Sequence, residues 1–243
     1  MSATRNLIEV ESLRTHFFTD EGVVKAVDGV AFTIPTGKTV CVVGESGSGK
    51  SITGRSILNM IPYPGRVLEG SIAWRPNGAA PTDLLTLDPK GKAIRAIRGK
   101  DIALISQEPM AALSPVHTIG NQMIETIRLH LGIDKREARE RAATMLAKVG
   151  IPKPELRLDN YAFQLSGGMR QRVCIALAVA CEPKLLIADE PTTALDVTTQ
   201  ANILDLFREL RDDLGVSILF ITHDLGVVAE IADEVVVMYL GQV

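Results

Sequence analysis

Eight consecutive residues, Gly44-Glu45-Ser46-Gly47-Ser48-Gly49-Lys50-Ser51, carry the most specific chemistry in this chain. They follow a short apolar run, Val40 to Val43, and open into a helix-compatible segment, Ser51 to Ile61, that Pro62 closes. This is the G-x-x-x-x-G-K-[ST] phosphate loop in its strand–turn–helix setting. Glycines let such a backbone turn tightly and approach a ligand without Cβ clashes. Successive N–H groups and the positive end of the new helix then face inward, toward a polyphosphate. Lys50 is expected to reach the β- and γ-phosphates, and the Ser51 hydroxyl to ligate Mg²⁺. A Gly/Ser-rich surface turn would explain the glycines but not the Lys-Ser pair, so the stretch implies binding of a nucleoside triphosphate.

Other polar residues stand where apolar strands end. Lys184 to Ala188 reads as a core strand with Asp189-Glu190 at its carboxyl end. Adjacent carboxylates there are costly unless a cation or a proton transfer uses them. Asp189 suits support of Mg²⁺, and Glu190 the polarisation of a water in line with the γ-phosphate. Gln107 follows the buried-type strand Ile102–Ile105, and His223 follows the all-apolar strand Val216–Ile221. A lone histidine is usually structural. This one shares the carboxyl edge of a parallel sheet with Gln107, Asp189 and Glu190, and ligands bind at that edge. Leu165-Ser166-Gly167-Gly168-Met169 introduces a helix to about Cys181. Ser166 is a plausible N-cap there, and the two glycines leave the helix N-terminus bare for an anion, although an ordinary capped helix start has the same form.

The elements that must position these residues belong to an α/β domain. Leu7–Leu13, Val23–Val27 and Val30–Ile34 read as strands, with Asp20-Glu21-Gly22 as a turn. His16-Phe17-Phe18 ends the first strand; a phenylalanine there is either core or a platform for a purine. A looser Gly/Pro-containing region, 62 to 99, holds Ser71–Ala73 as a short strand and Lys92–Arg98 as a short helix. From 110 to 164 the pattern becomes helical: a stripe over Thr118–Leu131, then a capping box at Asp134-Lys135-Arg136-Glu137 and a second stripe ending at Gly150. With no strand between them, these helices read as an insertion on the sheet domain. Thr193-Ala194-Leu195-Asp196 leads into a helix terminated by Gly215, and Glu234–Tyr239 forms a last strand.

Composition narrows the partners. Hydrophobic residues make up 46% and charged residues 23% of the 243, an ordinary globular balance. A net charge of -3 argues against a nucleic-acid-coating surface. Cys41, Cys174 and Cys181 lack metal-ligand spacing and read as reduced core residues of a cytosolic protein. The start carries no secretory signal pattern, and runs such as Val235–Leu240 are too short to span a bilayer, so any membrane role is expected to be peripheral.

The motifs GESGSGKS, ISQEP, LSGGM, LLIADEP, TALD and FITHD come in a fixed order along essentially the whole chain. That set resembles the ATP-binding cassette (ABC) of transport ATPases. LSGG discriminates, since other phosphate-loop folds lack it; Met169 stands where glutamine is more usual. The stretches RGKDIALISQEPMAALSPVHTIGNQM and QLSGGMRQRV further resemble the ATP-binding subunits of bacterial dipeptide and oligopeptide importers, whose relatives also import nickel and opines. Those subunits usually continue past the point where this chain stops, at Gln242-Val243, which suggests a shortened form or fragment.

The resemblance implies a phosphate-loop ATPase fold with an antiparallel β subdomain, a core formed by 1–109 and 165–243, and a helical subdomain over 110–164. It implies ATP and Mg²⁺ as cofactors, with Phe17 stacking on adenine and Phe18 as the second candidate. Gly44, Glu45, Ser46, Gly47, Ser48, Gly49, Lys50 and Ser51 would cradle the phosphates. Gln107 would contact Mg²⁺ or the attacking water, Asp189 would support Mg²⁺ with Ser51, Glu190 would be the catalytic base, and His223 would contact the γ-phosphate. Ser166, Gly167 and Gly168 would bind the γ-phosphate of a nucleotide held by a second ATP-binding subunit, with Asp196 at the interface. The implied partners are that second subunit, integral membrane permease subunits whose coupling helix meets residues 108 to 120, and indirectly an extracellular or periplasmic substrate-binding protein. The implied location is the cytoplasmic face of the bacterial inner membrane. A non-transport cassette ATPase, or a small-molecule kinase, are the alternatives; the first is disfavoured by a single cassette without a coiled-coil insertion, the second by LSGG.

Overall fold

The computed structural model describes residues 5–76, 80–107, 112–193 and 195–243. Two sheets form its frame. The first is antiparallel: β1 (Asn6–Thr19), β2 (Gly22–Pro35), β4 (Gly65–Trp74) and β5 (Thr82–Asp83), in the order β2-β1-β4-β5. The second is parallel: β3 (Thr39–Val43), β6 (Ile102–Ile105), β7 (Leu185–Asp189), β8 (Ser217–Thr222) and β9 (Glu234–Val237), in the order β6-β7-β8-β3-β9. Helices are α1 (Lys50–Ile57), α2 (Lys92–Ile97), α3 (Ile119–Leu131), α4 (Lys135–Lys148), α5 (Pro154–Arg157), α6 (Gly167–Val179), α7 (Val197–Leu214) and α8 (Leu225–Ile231).

Strands β3, β7 and β8 are fully buried and largely apolar because both faces are covered, whereas the edge strand β9 is mostly exposed. Alternate residues face opposite sides. Val40, Val42, Leu185, Ile187, Leu219 and Ile221 join a cluster with Leu13, Ile57 and Trp74, filling the space toward the antiparallel sheet and α1. Cys41, Val43, Leu186, Ala188, Ile218 and Phe220 join the opposite cluster, which takes in α3, α4, α6 and α7. The helices of the 110–164 stretch therefore share a core with one face of the parallel sheet.

Several boundaries differ from the sequence reading. β1 runs on to Thr19, and the two strands expected at 23–27 and 30–34 are one strand. Gly29, at φ +83, takes up a register shift where Leu13 pairs with Val30 but Arg14 with Asp28. A bulge thus replaces the expected break. α1 ends at Ile57 rather than Ile61, because Asn59 adopts φ +49 before Pro62 is reached. Ser71–Ala73 is the centre of a longer β4. Asp134 accepts from Glu137 N at 2.9 Å, and Gly215 closes α7 at φ +65, as expected. α8, capped by Asp224, occupies a stretch given no element beforehand. β9 stops at Val237, and Tyr239 instead bridges to Gln242 in a turn. Residues 108–111, part of the expected coupling segment, and Ala194 lie outside the described residues. Among the described residues no helix is long and apolar enough to cross a membrane.

Candidate functional site

Register brings the site together. In the parallel sheet Val42 and Asp189 both pair with Ile221, and Val43 pairs with Thr222. The phosphate loop, Asp189-Glu190 and His223 therefore leave three adjacent strands at one level, on the carboxyl edge. Gln107 leaves the same edge from β6. A cleft of about 880 Å³ opens there, lined among others by Glu45, Lys50, Ser51, Gln107, Glu190 and His223. That volume suits a nucleotide-sized ligand.

The loop itself is shaped by what surrounds it. Gly44 sits at φ +155 and Gly49 at φ +100. A Cβ on the first would meet the carbonyl oxygen of Met238, and one on the second that of Ala26. Only glycine fits either position. Gly54 likewise lets α1 close on the sheet: a Cβ there would lie 2.9 Å from Ile221 Cδ1. Lys50 is buried, and its Nζ donates to the carbonyls of Gly44 and Glu45, both at 2.8 Å. The ammonium is thereby held inside the mouth of its own loop.

The carboxylates differ in surroundings. Asp189 is 3% exposed and accepts from Ser51 Oγ at 2.7 Å. Burial pushes its carboxyl above the ordinary value, against the Ser51 hydrogen bond and the nearby Arg55. Glu190 instead faces the cleft at φ +48, a conformation a non-glycine residue holds only under constraint. Gln107 Nε2 reaches its Oε2 at 3.2 Å, Thr193 Oγ1 donates to the same oxygen at 2.9 Å, and His223 Nδ1 lies 3.2 Å from Oε1. One carboxylate is thus buried against a hydroxyl, while its neighbour is presented to the cleft by three polar side chains.

Such a loop, with an acidic strand end beside it, fits a nucleotide-hydrolysing machine, and the likenesses to known proteins settle which one. The family model described as ABC transporter matches residues 27–193. The chain belongs to the ABC transporter family. It is similar to the probable peptide ABC transporter ATP-binding protein y4tR of Sinorhizobium fredii, 48% identical over 238 residues, 98% of this chain and 69% of that one. The dipeptide transport ATP-binding protein DppD of Bacillus subtilis is 49% identical over 237 residues, 97% of this chain and 69% of that protein. Among solved structures, the ATP-binding cassette MJ0796, dimeric and bound to ADP and Pi in a post-hydrolysis state, superposes with a TM-score of 0.83 at 26% identity, over 97% of this chain and 96% of that one. The chain is an ATP-binding, ATP-hydrolysing ABC cassette.

Within this ABC ATPase the expected site residues fall into two groups. Gly44 to Ser51, Gln107, Asp189, Glu190 and His223 converge at one sheet edge. Ser166, Gly167 and Gly168 do not join them: they start α6, where Ser166 Oγ accepts from Met169 N at 3.3 Å, outside the cleft lining. Phe17 is half-buried, with its ring edge against Gly65. Phe18 is exposed under Arg66, whose Cζ lies 5.8 Å from the ring centre. Neither ring lines the cleft among the described residues. The structure also adds groups that sequence reasoning missed. Thr193, the first residue of the TALD motif, orients Glu190. A strap from the last strand backs the loop: Met238 N donates to Val43 O at 2.7 Å, and Gly241 N to Ser48 O at 3.1 Å. No local signal marks those two. The three cysteines are buried, and burial pushes the Cys41 and Cys174 thiols up to about 12.

Proposed function

We propose that this chain is the ATP-hydrolysing motor of a peptide importer, working as one of two cassettes attached to a membrane permease. The observation that carries the reading is the Glu190 carboxylate, held among Gln107, Thr193 and His223 at the rim of a cleft lined by Lys50 and Ser51. The names of the relatives, a peptide ABC transporter protein and a dipeptide transport protein, supply the cargo class.

Glu190 accepts the proton of a water attacking the γ-phosphorus, and the bond to the β-phosphate oxygen breaks to leave ADP and phosphate. Lys50 and the loop amides from Gly44 to Ser51 hold the phosphates, and His223 bonds the γ-phosphate. Ser51 and Asp189 offer hydroxyl and carboxylate oxygens 2.7 Å apart. That donor set fits Mg²⁺, which Ser51, Asp189 and the side-chain oxygen of Gln107 would hold. When bound, it offsets the charge that develops on the phosphates. Phe17 stacks on adenine, after its ring turns from Gly65.

The bare amides and hydroxyl at Ser166, Gly167 and Gly168 complete the phosphate cradle of a second subunit, with Asp196 at the seam. ATP then joins two head-to-tail subunits and hydrolysis releases them. Residues 110–164 act as the helical subdomain that meets the permease on the cytoplasmic face of the membrane, and a substrate-binding protein delivers the peptide from outside. The test is Glu190→Gln, which removes the base and keeps the shape. ATP binding is expected to survive, hydrolysis to stall, and ATP-dependent dimers to accumulate on gel filtration; hydrolysis at the parent rate rules out Glu190 as the base. Co-purification with integral membrane subunits separates the importer from a non-transport cassette.

A further inference from the structure

Ser166 and Glu190 serve different nucleotides in the proposed dimer, yet one buried bond joins their segments within a single chain. Gln171, one turn into α6, is 2% exposed, and its Nε2 donates to the Pro191 carbonyl at 2.7 Å. Pro191 directly follows Glu190. Having no N–H, it offers that carbonyl as its one backbone hydrogen-bonding group. The far side of the turn is held by Glu190 N donating to Ile221 O at 2.9 Å and Thr193 N donating to Glu190 O at 3.2 Å. Together these bonds fix a glutamate at φ +48. A second contact runs in parallel: a Cβ on Gly168 would come within 3.3 Å of Thr199 Cγ2, so the start of α6 leans on the first turn of α7.

We infer that Gln171 is a positioning residue for Glu190, fastening the catalytic turn of one site to the helix whose N-terminus clasps the nucleotide of the other. The inference rests on the roles proposed above for Ser166 and Glu190. Its consequence is a direct mechanical link: any shift of α6 when its N-terminus engages a γ-phosphate moves the Pro191 carbonyl, and Glu190 with it. Without the amide donor that buried carbonyl has no partner among the described residues, and the turn loosens. Misplacing a reacting group by about 1 Å costs on the order of 100-fold in rate.

The test is steady-state ATP hydrolysis by the full chain in four forms: parent, Gln171→Met, Glu190→Gln and the double variant. Methionine keeps the length of the side chain and lacks the donor. Gln171→Met is expected to lower kcat by about 10- to 100-fold, with KM for ATP changed less than about twofold. In the Glu190→Gln background it is expected to change the residual rate not at all, because the group it positions is already disabled. Equal losses in both backgrounds would overturn the inference, as would Gln171→Met at the parent kcat while Glu190→Gln is inactive. Glu190→Gln at the parent rate would overturn the reading of Glu190 as base, and this inference with it. Should Gln171→Met fail to fold, Gln171→Ala, which leaves room for a bridging water, goes through the same comparison.

Discussion

Two helices in this chain begin with a serine-and-glycine turn, and they are built on opposite plans. The turn before α1 is enclosed at its base: Ser48, Gly49 and Lys50 are buried, and Met238 and Ala26 press their carbonyls against Gly44 and Gly49, while its tip from Glu45 to Gly47 is exposed. It also holds a cation and lies beside two carboxylates. The turn before α6 is open. Ser166 and Gly167 are exposed, a Cβ on Gly167 would meet nothing within 4 Å, and the first turn of α6 carries no acidic residue. Both offer bare amides to an anion, and the first adds the buried Lys50 ammonium held inside the loop. Rigid enclosure marks the turn that binds unaided; openness marks the turn that waits for a ligand presented from outside.

The largest effects should come from breaking each turn in the way it works. Lys50→Ala removes the only charge within the first turn that can pair with the phosphates. ATP affinity is expected to fall by about 100-fold or more, given the strength of charge-assisted bonds in a partly buried site. Isothermal titration of the monomer reads this directly. Ser166→Arg is expected to leave monomer affinity unchanged and to abolish ATP-dependent dimers of the Glu190→Gln form. A large affinity loss in Ser166→Arg, or dimers that survive it, would remove the distinction between the turns.

Alanine at the glycines gives smaller effects of opposite sign. Gly49→Ala forces an L-residue to φ +100 against a backbone carbonyl. The strain alone is expected to cost about 1–3 kcal/mol, seen as a Tm lowered by roughly 5 °C. Gly167→Ala adds a methyl in open space at the start of a helix and is expected to raise Tm slightly, by up to about 0.5–1 kcal/mol of stability, while weakening the dimer. Parallel thermal melts suffice, and a shared sign would show that enclosure is not what separates the two.

How much of this was legible in the sequence follows the same division. The phosphate loop, the caps at Asp134 and Ser166 and the stop at Gly215 are local, written within a few residues of where they act. The convergence of Gln107, Asp189, Glu190 and His223 was also readable, because each ends an apolar strand and parallel strands align their carboxyl ends. The strap from Met238 to Gly241 and the bond from Gln171 to Pro191 were not readable, since they join segments whose adjacency only the completed sheet decides. The bulge at Gly29 was misread for a related reason: in isolation Asp28-Gly29 looks like a turn, and only pairing with β1 keeps it in a strand. Phe17 stayed ambiguous between core and purine platform, and its half-buried ring on Gly65 shows how one side chain can serve the first role while remaining near enough to the surface for the second.

The smallest effect concerns the other asymmetric pair, Asp189 and Glu190. Burial raises the Asp189 carboxyl above its ordinary 3.8, so the folded chain holds that proton more tightly than the unfolded chain does. The ionised group therefore opposes folding at neutral pH. That opposition fades as pH falls through the raised folded value and is gone below the ordinary one. Asp189→Asn keeps an acceptor for the Ser51 hydroxyl and removes the buried charge. Its nucleotide-free form is expected to melt about 2 °C above the parent at pH 7, with the gap closing toward pH 4. Its Mg²⁺-dependent hydrolysis is expected to be lost. A gap that is absent at pH 7, or that widens on acidification, would mean that Asp189 is a structural partner of Ser51 and not a charge held against the fold for the sake of a cation.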